Sequence, residues 1–175
     1  MKAMCARCDE EHDLDSMDPG FDLPDEAFAV SRAERTLRVK RGKDFCRLEG
    51  DLKLPHYYLR TLLEVQVSGR LQPVRWGIWV EVNWHTFDEV MRLWSDDARL
   101  NAGPWRASLA NTIPGFAETL GLTGTLRFNN LNHITYLTLD DGDHQLIQDQ
   151  RQGVSAARAV EWLLNVIHSH GGATS

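Results

Sequence analysis

The residue types best suited to chemistry stand together near the start of the chain, in Cys5-x-x-Cys8-x-x-x-His12. Two thiols separated by two residues can clamp one tetrahedral ion, and an imidazole four residues further on can swing to the same centre. Three ligands leave such a site open. Cys46 is the only other thiol and completes a borderline-soft Cys3His set that suits zinc. Spacing alone does not prefer Cys46 over His56 or Asp13 as the fourth ligand. Free thiols and a redox pair are the competing readings, but a redox C-x-x-C should follow a strand and open a helix, which this stretch does not offer. A zinc site of Cys5, Cys8, His12 and Cys46 is structural, and fastens the head of the chain to the strand that carries Cys46.

The remaining polar candidates are weaker. Asp143-His144 sets a carboxylate beside an imidazole, which can fix a tautomer, although adjacent side chains seldom bond one another and a surface turn also accounts for the pair. Asn111 lies in a long segment rich in glycine and proline. Trp76, Trp79, Trp84, Trp94 and Trp105 share one window and either fill a core or line a ligand cleft. Asp140-Asp141-Gly142-Asp143 lacks the spaced ligands of a calcium loop and reads as a turn. The sequence contains no nucleophile elbow, phosphate-binding loop, dinucleotide fingerprint or H-E-x-x-H motif.

The elements that must position these groups fit one domain. The chain has 175 residues, 42% hydrophobic and 25% charged, near the soluble globular average. Its net charge of −6 is opposite in sign to the footprint of a general nucleic-acid binder. Residues 1 to 30 carry nine acids and two bases, and residues 31 to 53 carry eight bases and four acids. Arg32, Arg35, Arg38, Lys40, Arg41 and Lys43 have no interleaved aromatics to stack on bases, while Leu37 and Val39 alternate with them as in a half-buried strand. There is no apolar leader and no run long enough to span a bilayer, so a cytoplasmic protein without a membrane partner is expected.

Pro24 followed by Asp25 and Glu26 predicts a short helix over 24 to 34. Tyr57 to Val67 and Val74 to Val82 read as an antiparallel pair turning at Ser68-Gly69. Gly77, between Trp76 and Trp79, leaves room for another backbone or a large ring. Thr86 and Glu89 read as a capping box for a helix with Phe87, Val90, Met91 and Trp94 on one face. Residues 96 to 121 read as a long loop with one helical turn near Ala107 to Asn111. Strands follow over 122 to 129 and 133 to 140. Ser155 caps a last helix with Ala156, Ala159, Val160, Leu163, Leu164 and Ile167 in register, ended by Gly171. The expected fold is a single α+β domain over residues 1 to 175. A head over 1 to 50 resembles a zinc knuckle with a short helix, and a core over 51 to 170 is a mainly antiparallel sheet packed against two amphipathic helices.

Taken in order, these residues resemble a bacterial domain-of-unknown-function family, number 2199. Cys5-x-x-Cys8-x-x-x-His12 is similar to its C-x-x-C-G-x-x-H opening, and Asp44-Phe45-Cys46 to its D-x-C segment. Trp76-Gly77-Ile78-Trp79-Val80, with Phe87 and Trp94, resembles its G-V-W-V…F…W block. Leu109-Ala110-Asn111-Thr112-Ile113-Pro114-Gly115-Phe116 resembles its L-x-N-x-L-P-G-Y loop, and Asp143-His144-x-Leu146 its D-H-P-L segment. Asp9, Ala117 and Gln145 stand where the family has glycine, proline and proline. The resemblance implies Cys46 as the fourth ligand and carries no established activity. The function expected is a zinc-bearing binding or interaction protein, its contact surface formed by the long loop and the Asp143-His144 turn. The alternative is a small enzyme using Asn111, Asp143 and His144 in a tryptophan-lined cleft.

Overall fold

The computed structural model describes residues 2–4, 11–13, 19–50, 54–69, 72–129 and 134–169. Two short strands near the start, β1 (Lys2–Met4) and β2 (Glu11–Asp13), pair antiparallel with Met4 opposite Glu11. Two helices follow, α1 (Asp25–Ala29) and α2 (Arg32–Arg38). The main sheet is built from β3 (Val39–Arg41), β4 (Phe45–Leu48), β5 (His56–Val65), β6 (Val74–Val82), β7 (Trp105–Leu109), β8 (Thr123–Phe128) and β9 (Thr135–Leu139). Helix α3 (Trp84–Leu93) and a 3-10 turn over Asp97–Asn101 lie between β6 and β7. Helices α4 (Gln145–Gln152) and α5 (Ala156–Ser169) complete the α+β fold.

Strands β5 to β9 form a meander in which each pairs antiparallel with the next. The first and fifth strands of a meander run the same way, so closure between them must be parallel. Thr61 and Leu62 of β5 pair in this sense with Thr135 and Tyr136 of β9, and the ring closes. Alternation then sends one face of every strand inward: Leu63, Trp76, Ile78, Leu126 and Leu137 are almost wholly buried in the main core. At the seam the Thr61 hydroxyl donates to the Thr135 carbonyl at 2.7 Å, and the Thr135 hydroxyl lies 3.0 Å from that of Thr61. Two polar side chains thus satisfy one another inside an apolar core. Trp162 and Leu163 of α5 and Leu146 of α4 belong to this same core, Trp162 lying against Trp76 with ring centroids 6.5 Å apart.

A second, smaller core lies against the other face of β4, β5 and β6. Cys46, Leu48, Tyr58 and Trp79 point there and are covered by Leu23 and Ala27. Gly77 allows the covering segment to lie flat: its N–H donates to the Pro19 carbonyl at 2.8 Å, and its own carbonyl accepts from Phe21 N–H at 2.9 Å. A Cβ on Gly77 would sit 3.3 Å from the Arg60 guanidinium and 3.6 Å from Gly20 Cα. The close backbone approach expected at this glycine is therefore present.

Several expected elements differ in detail. The helix expected over 24 to 34 is two helices, and the stretch read as a half-buried strand through Leu37 is helical to Arg38, with Leu37 79% exposed. Ser31 is the cause. Its hydroxyl accepts from Glu34 N–H at 3.3 Å and the Glu34 carboxylate reaches back to it, starting α2 where an S-x-x-E box stands in the sequence. Helix α3 starts at Trp84 because Asn83 Oδ1 accepts from Thr86 N–H at 2.9 Å. Thr86 is inside that helix rather than its cap. The expected stripe holds, with Val90 buried and Phe87, Met91 and Trp94 packed on the core. The segment read as one long loop contains β7, whose Trp105 and Ala107 face the core opposite Leu126 and Gly124. Gly171 lies outside the described residues.

Candidate functional site

The residues singled out in the sequence divide into clasps and a head. Asn111 is fully buried. Its Oδ1 accepts from Trp79 N–H at 2.7 Å, while Nδ2 donates to the Leu23 carbonyl and to Asp25 Oδ1, both at 2.9 Å. Asp25 Oδ2 also accepts from Thr112 N–H at 2.8 Å. Asn111 therefore uses its amide to tie the covering segment to β6 and has no exposed surface for a ligand. The loop after it is tied again at Thr119, whose hydroxyl donates to the Asn111 carbonyl and accepts from Ile113 N–H, each at 2.9 Å.

His144 caps α4. Its Nδ1 accepts from Leu146 N–H at 3.1 Å, which leaves the proton on Nε2 to be donated to the Ala117 carbonyl. The long loop and the Asp143-His144 turn do meet, as the sequence reading expected, and their contact is a backbone clasp. Phe116 stacks near His144, with ring centroids 6.5 Å apart, and lies 5.2 Å from Trp162. Asp143 is exposed. Among the described hydrogen bonds none joins Asn111 to His144 or Asp143, so the three do not form a shared polar centre. Most of the tryptophans are core residues; Trp84, 49% exposed, is the exception.

Cys5 and Cys8 lie outside the described residues. His12 lies in β2, one residue beyond the Met4–Glu11 pair, opposite Ala3 of β1. Cys46 is fully buried among Leu23, Ala27, Leu48, Tyr58 and Trp79. Burial pushes its thiol up to about 11, with Arg41 pulling weakly the other way. These surroundings favour the neutral thiol, whereas a metal ligand is a thiolate. Among the described residues no cluster of histidine, cysteine and carboxylate side chains has metal-holding geometry.

Another group lies where β5 and β6 run into α3, and the sequence reading passed it over. His56 opens β5 and Glu81 stands near the end of β6; the antiparallel register sets their neighbours Tyr57 and Val82 opposite each other. His56 Nδ1 is 2.6 Å from Glu81 Oε1 and 3.8 Å from Glu26 Oε2. An ionised carboxylate only accepts, so Nδ1 carries a proton and donates it to Glu81. The Tyr58 hydroxyl donates to Glu26 Oε2 at 2.7 Å. Burial, and then that bond to Glu26, push the Tyr58 hydroxyl far above its ordinary range, so it remains a donor. Three hollows meet at Glu81. The largest, about 800 Å³, is walled by Leu54, His56, Tyr57 and Trp84. Leu54 is 87% exposed, and Trp84 lies against Tyr57 at 5.2 Å and Phe87 at 6.2 Å. No repeat or spacing rule links residues 26, 56, 58 and 81; only strand register and the folded-back α1 bring them together.

Over residues 4–154 the chain matches the family described as Uncharacterized protein conserved in bacteria (DUF2199), and it belongs to that family. The match spans the head, the barrel and α4, and bears out the resemblance read from the ordered motifs. No curated protein and no solved structure matches the chain. Among the described residues no helix is long and apolar enough to cross a membrane.

Proposed function

We propose that this protein works by binding a partner rather than by transforming a substrate, and that its working face is the hollow beside Glu81, with Leu54 and Trp84 at its rim. The single observation that carries this reading is the pair of large apolar side chains left open at a concave site. Exposed apolar residues are ordinary when scattered, but two that line one hollow of about 800 Å³ fit a recognition surface. The residues first considered for binding, Asn111 and His144, support this face indirectly by holding the 110 to 122 loop and the covering segment in place.

A fragment library screened against the isotope-labelled full chain tests the reading. Shifts are expected to concentrate on Leu54, Tyr57, Glu81 and Trp84, and to vanish in Leu54→Ser and Trp84→Ser variants whose unfolding midpoints are retained. Shifts concentrated on another face, unaffected by those substitutions, overturn it.

A second reading concerns the head, and the pairing of Met4 with Glu11 on either side of the two cysteines supports it. In this reading a structural zinc is held by Cys5, Cys8 and His12, with Cys46 as the fourth ligand only if the small apolar core opens around it. Protein purified without added metal should then carry close to one equivalent of zinc, and Cys5→Ser and Cys8→Ser should lower both metal content and stability, because binding and folding are coupled in such sites. Less than about one-tenth of an equivalent, with no loss of stability in the variants, refutes it. A cytoplasmic setting belongs to the same proposal, since free thiols persist where the medium is reducing.

A further inference from the structure

We infer that a further hollow, where α1, α2 and β3 meet, holds the phosphoryl group of a small phosphate monoester. It shares no lining residue with the three hollows at Glu81 and is independent of the reading given for them.

Period alone brings three guanidiniums to this place. Arg32, Arg35 and Thr36 fall at i, i+3 and i+4 on one face of α2, and Val39 and Arg41 at i and i+2 on one face of β3, which follows the helix without a break. With Asp22, Leu23 and Phe28 they line a hollow of about 440 Å³, within the range of small-ligand sites. Three arginines stand against one aspartate. Among the described residues none of the three is paired with a carboxylate, Asp22 included, and Arg32 and Arg41 are exposed and unbonded. Arg35 is preorganised. Its Nη2 donates to the Phe28 and Val30 carbonyls at 2.6 and 3.0 Å, and its guanidinium lies 5.2 Å from the centre of the Phe28 ring. Its Nε–H is shielded from solvent and finds no acceptor among the described residues, whereas shielded donors are nearly always satisfied. The neighbouring cations are engaged: Lys40 and Arg47 pair with Glu49 at 3.8 and 3.0 Å, and Arg38 Nε donates to the Glu49 carbonyl. The unbalanced charge is thus gathered in one hollow and does not form the stripe that a nucleic-acid backbone needs.

A phosphate monoester brings close to two charges and three acceptor oxygens at neutral pH, and guanidinium bonds phosphate in two-point fashion. A carboxylate brings one charge and two oxygens. Asp22 opposes an anion but accepts from a ligand hydroxyl, and Phe28, 63% exposed, gives with Leu23 and Val39 an apolar wall for a carbon frame. Free phosphate uses neither feature. A hydroxyl-bearing monoester uses both.

The test titrates the isotope-labelled full chain with ribose 5-phosphate, ribose, inorganic phosphate and the tripeptide Ac-Ala-phosphoserine-Ala-NH2. Ribose 5-phosphate is expected to shift the amides of Phe28, Arg32, Arg35 and Arg41, inorganic phosphate to shift the same amides with weaker affinity, and ribose to shift none. Arg35 also holds two carbonyls, so the two unbonded arginines carry the mutational test. Arg32→Gln and, separately, Arg41→Gln should each weaken ribose 5-phosphate by about threefold or more, as expected for an exposed charge pair, with unfolding midpoints retained. Asp22→Asn should tighten inorganic phosphate, a change of sign that damage to the fold does not produce. Absence of shifts at this hollow with both phosphates overturns the inference, as does binding that neither glutamine variant weakens. Inorganic phosphate binding as tightly as ribose 5-phosphate overturns the assignment to a monoester. Tighter binding of the tripeptide overturns the assignment to a small ligand and points to a phosphorylated partner protein.

Discussion

Asn111 Oδ1 accepts from the backbone N–H of Trp79 at 2.7 Å, and this contact joins the two cores. Trp79 belongs to the smaller core, β6 runs through the larger one, and the Asn111 amide reaches from there to Leu23 and Asp25 of the covering segment. One fully buried side chain satisfies a strand N–H, a carbonyl and a carboxylate. Asn111→Ala takes these three bonds away, at about 1–3 kcal/mol for each group that stays dry and unpaired, while Asp25 keeps Thr112 N–H. The expected result is a loss of about 3 kcal/mol in urea unfolding, seen as a lower midpoint at unchanged slope. Asn111→Asp should cost more, because it removes two donors and sets a carboxylate against Asp25. An unchanged midpoint in Asn111→Ala would show that the clasp contributes nothing.

His144 makes a separable case. Its Nδ1 is the N-cap acceptor of α4, and its Nε2–H holds the Ala117 carbonyl. His144→Asn keeps a capping oxygen but shortens the reach to Ala117; His144→Ala removes both contacts. Loss of a cap costs about 1 kcal/mol. Alanine should therefore destabilise by more than asparagine, with faster amide exchange of Leu146 and Ile147 in the alanine variant alone. If both variants lose the same stability, the cap is not what His144 contributes.

Asp140 ties β9 to β7 and β8. Its carboxylate receives Arg106 in two-point fashion and the Thr123 hydroxyl, and those bonds, Arg106 first, hold its pKa below the ordinary value of 3.8. A carboxyl with a folded pKa below its unfolded one stabilises the fold at pH values above the unfolded pKa. That contribution is lost as pH falls through the folded pKa. The stability gap between the native chain and Asp140→Asn should thus be full above about pH 5 and close towards pH 2. Because Arg106 is largely exposed, molar salt should also narrow the gap. A gap that does not change with pH would show that the charge of Asp140 contributes nothing to this tie.

How far the sequence revealed this arrangement depended on whether a signal was local. The β5–β6 hairpin, the apolar stripe of α3 and the close approach at Gly77 were legible because period, turn residues and a missing side chain lie within a few positions. Helix α2 was misread although Ser31-x-x-Glu34 is a capping box, since the alternating Leu37 and Val39 imitate a strand. Strand β7 was hidden by Gly103-Pro104 before it and Pro114-Gly115 after it, which together read as continuous loop. Helix α4 is mostly polar outside Leu146 and Ile147, and its start depends on a histidine cap. The His56–Glu81–Glu26–Tyr58 group had no sequence signal, because it depends on strand register and on α1 folding back over β5. The tryptophans gave a partial pointer: only Trp84 follows a strand and opens a helix, and it is the one left open.

Cys46 separates packing from metal ligation. Burial drives its thiol from 9.0 to about 11, so in the folded chain it should be almost inert to iodoacetamide at pH 8 and react at the rate of an ordinary thiol in denaturant. Zinc coordination would also protect it, but a chelator tells the two apart. If packing protects Cys46, adding a strong chelator leaves its alkylation slow while Cys5 and Cys8 accelerate or stay fast; if Cys46 ligates zinc, all three accelerate together. The same shift gives a pH signature. A group whose folded pKa is raised contributes stability that is complete below its unfolded value and lost as pH rises through the folded one. Stability should therefore decline between about pH 9 and pH 11, the raised hydroxyl of Tyr58 adding to the loss above pH 10. Cys46→Ala should remove the thiol's share of that alkaline loss and also lower stability at neutral pH by the cost of a small cavity. A Cys46→Ala protein with an unchanged alkaline profile would show that the buried thiol does not govern it.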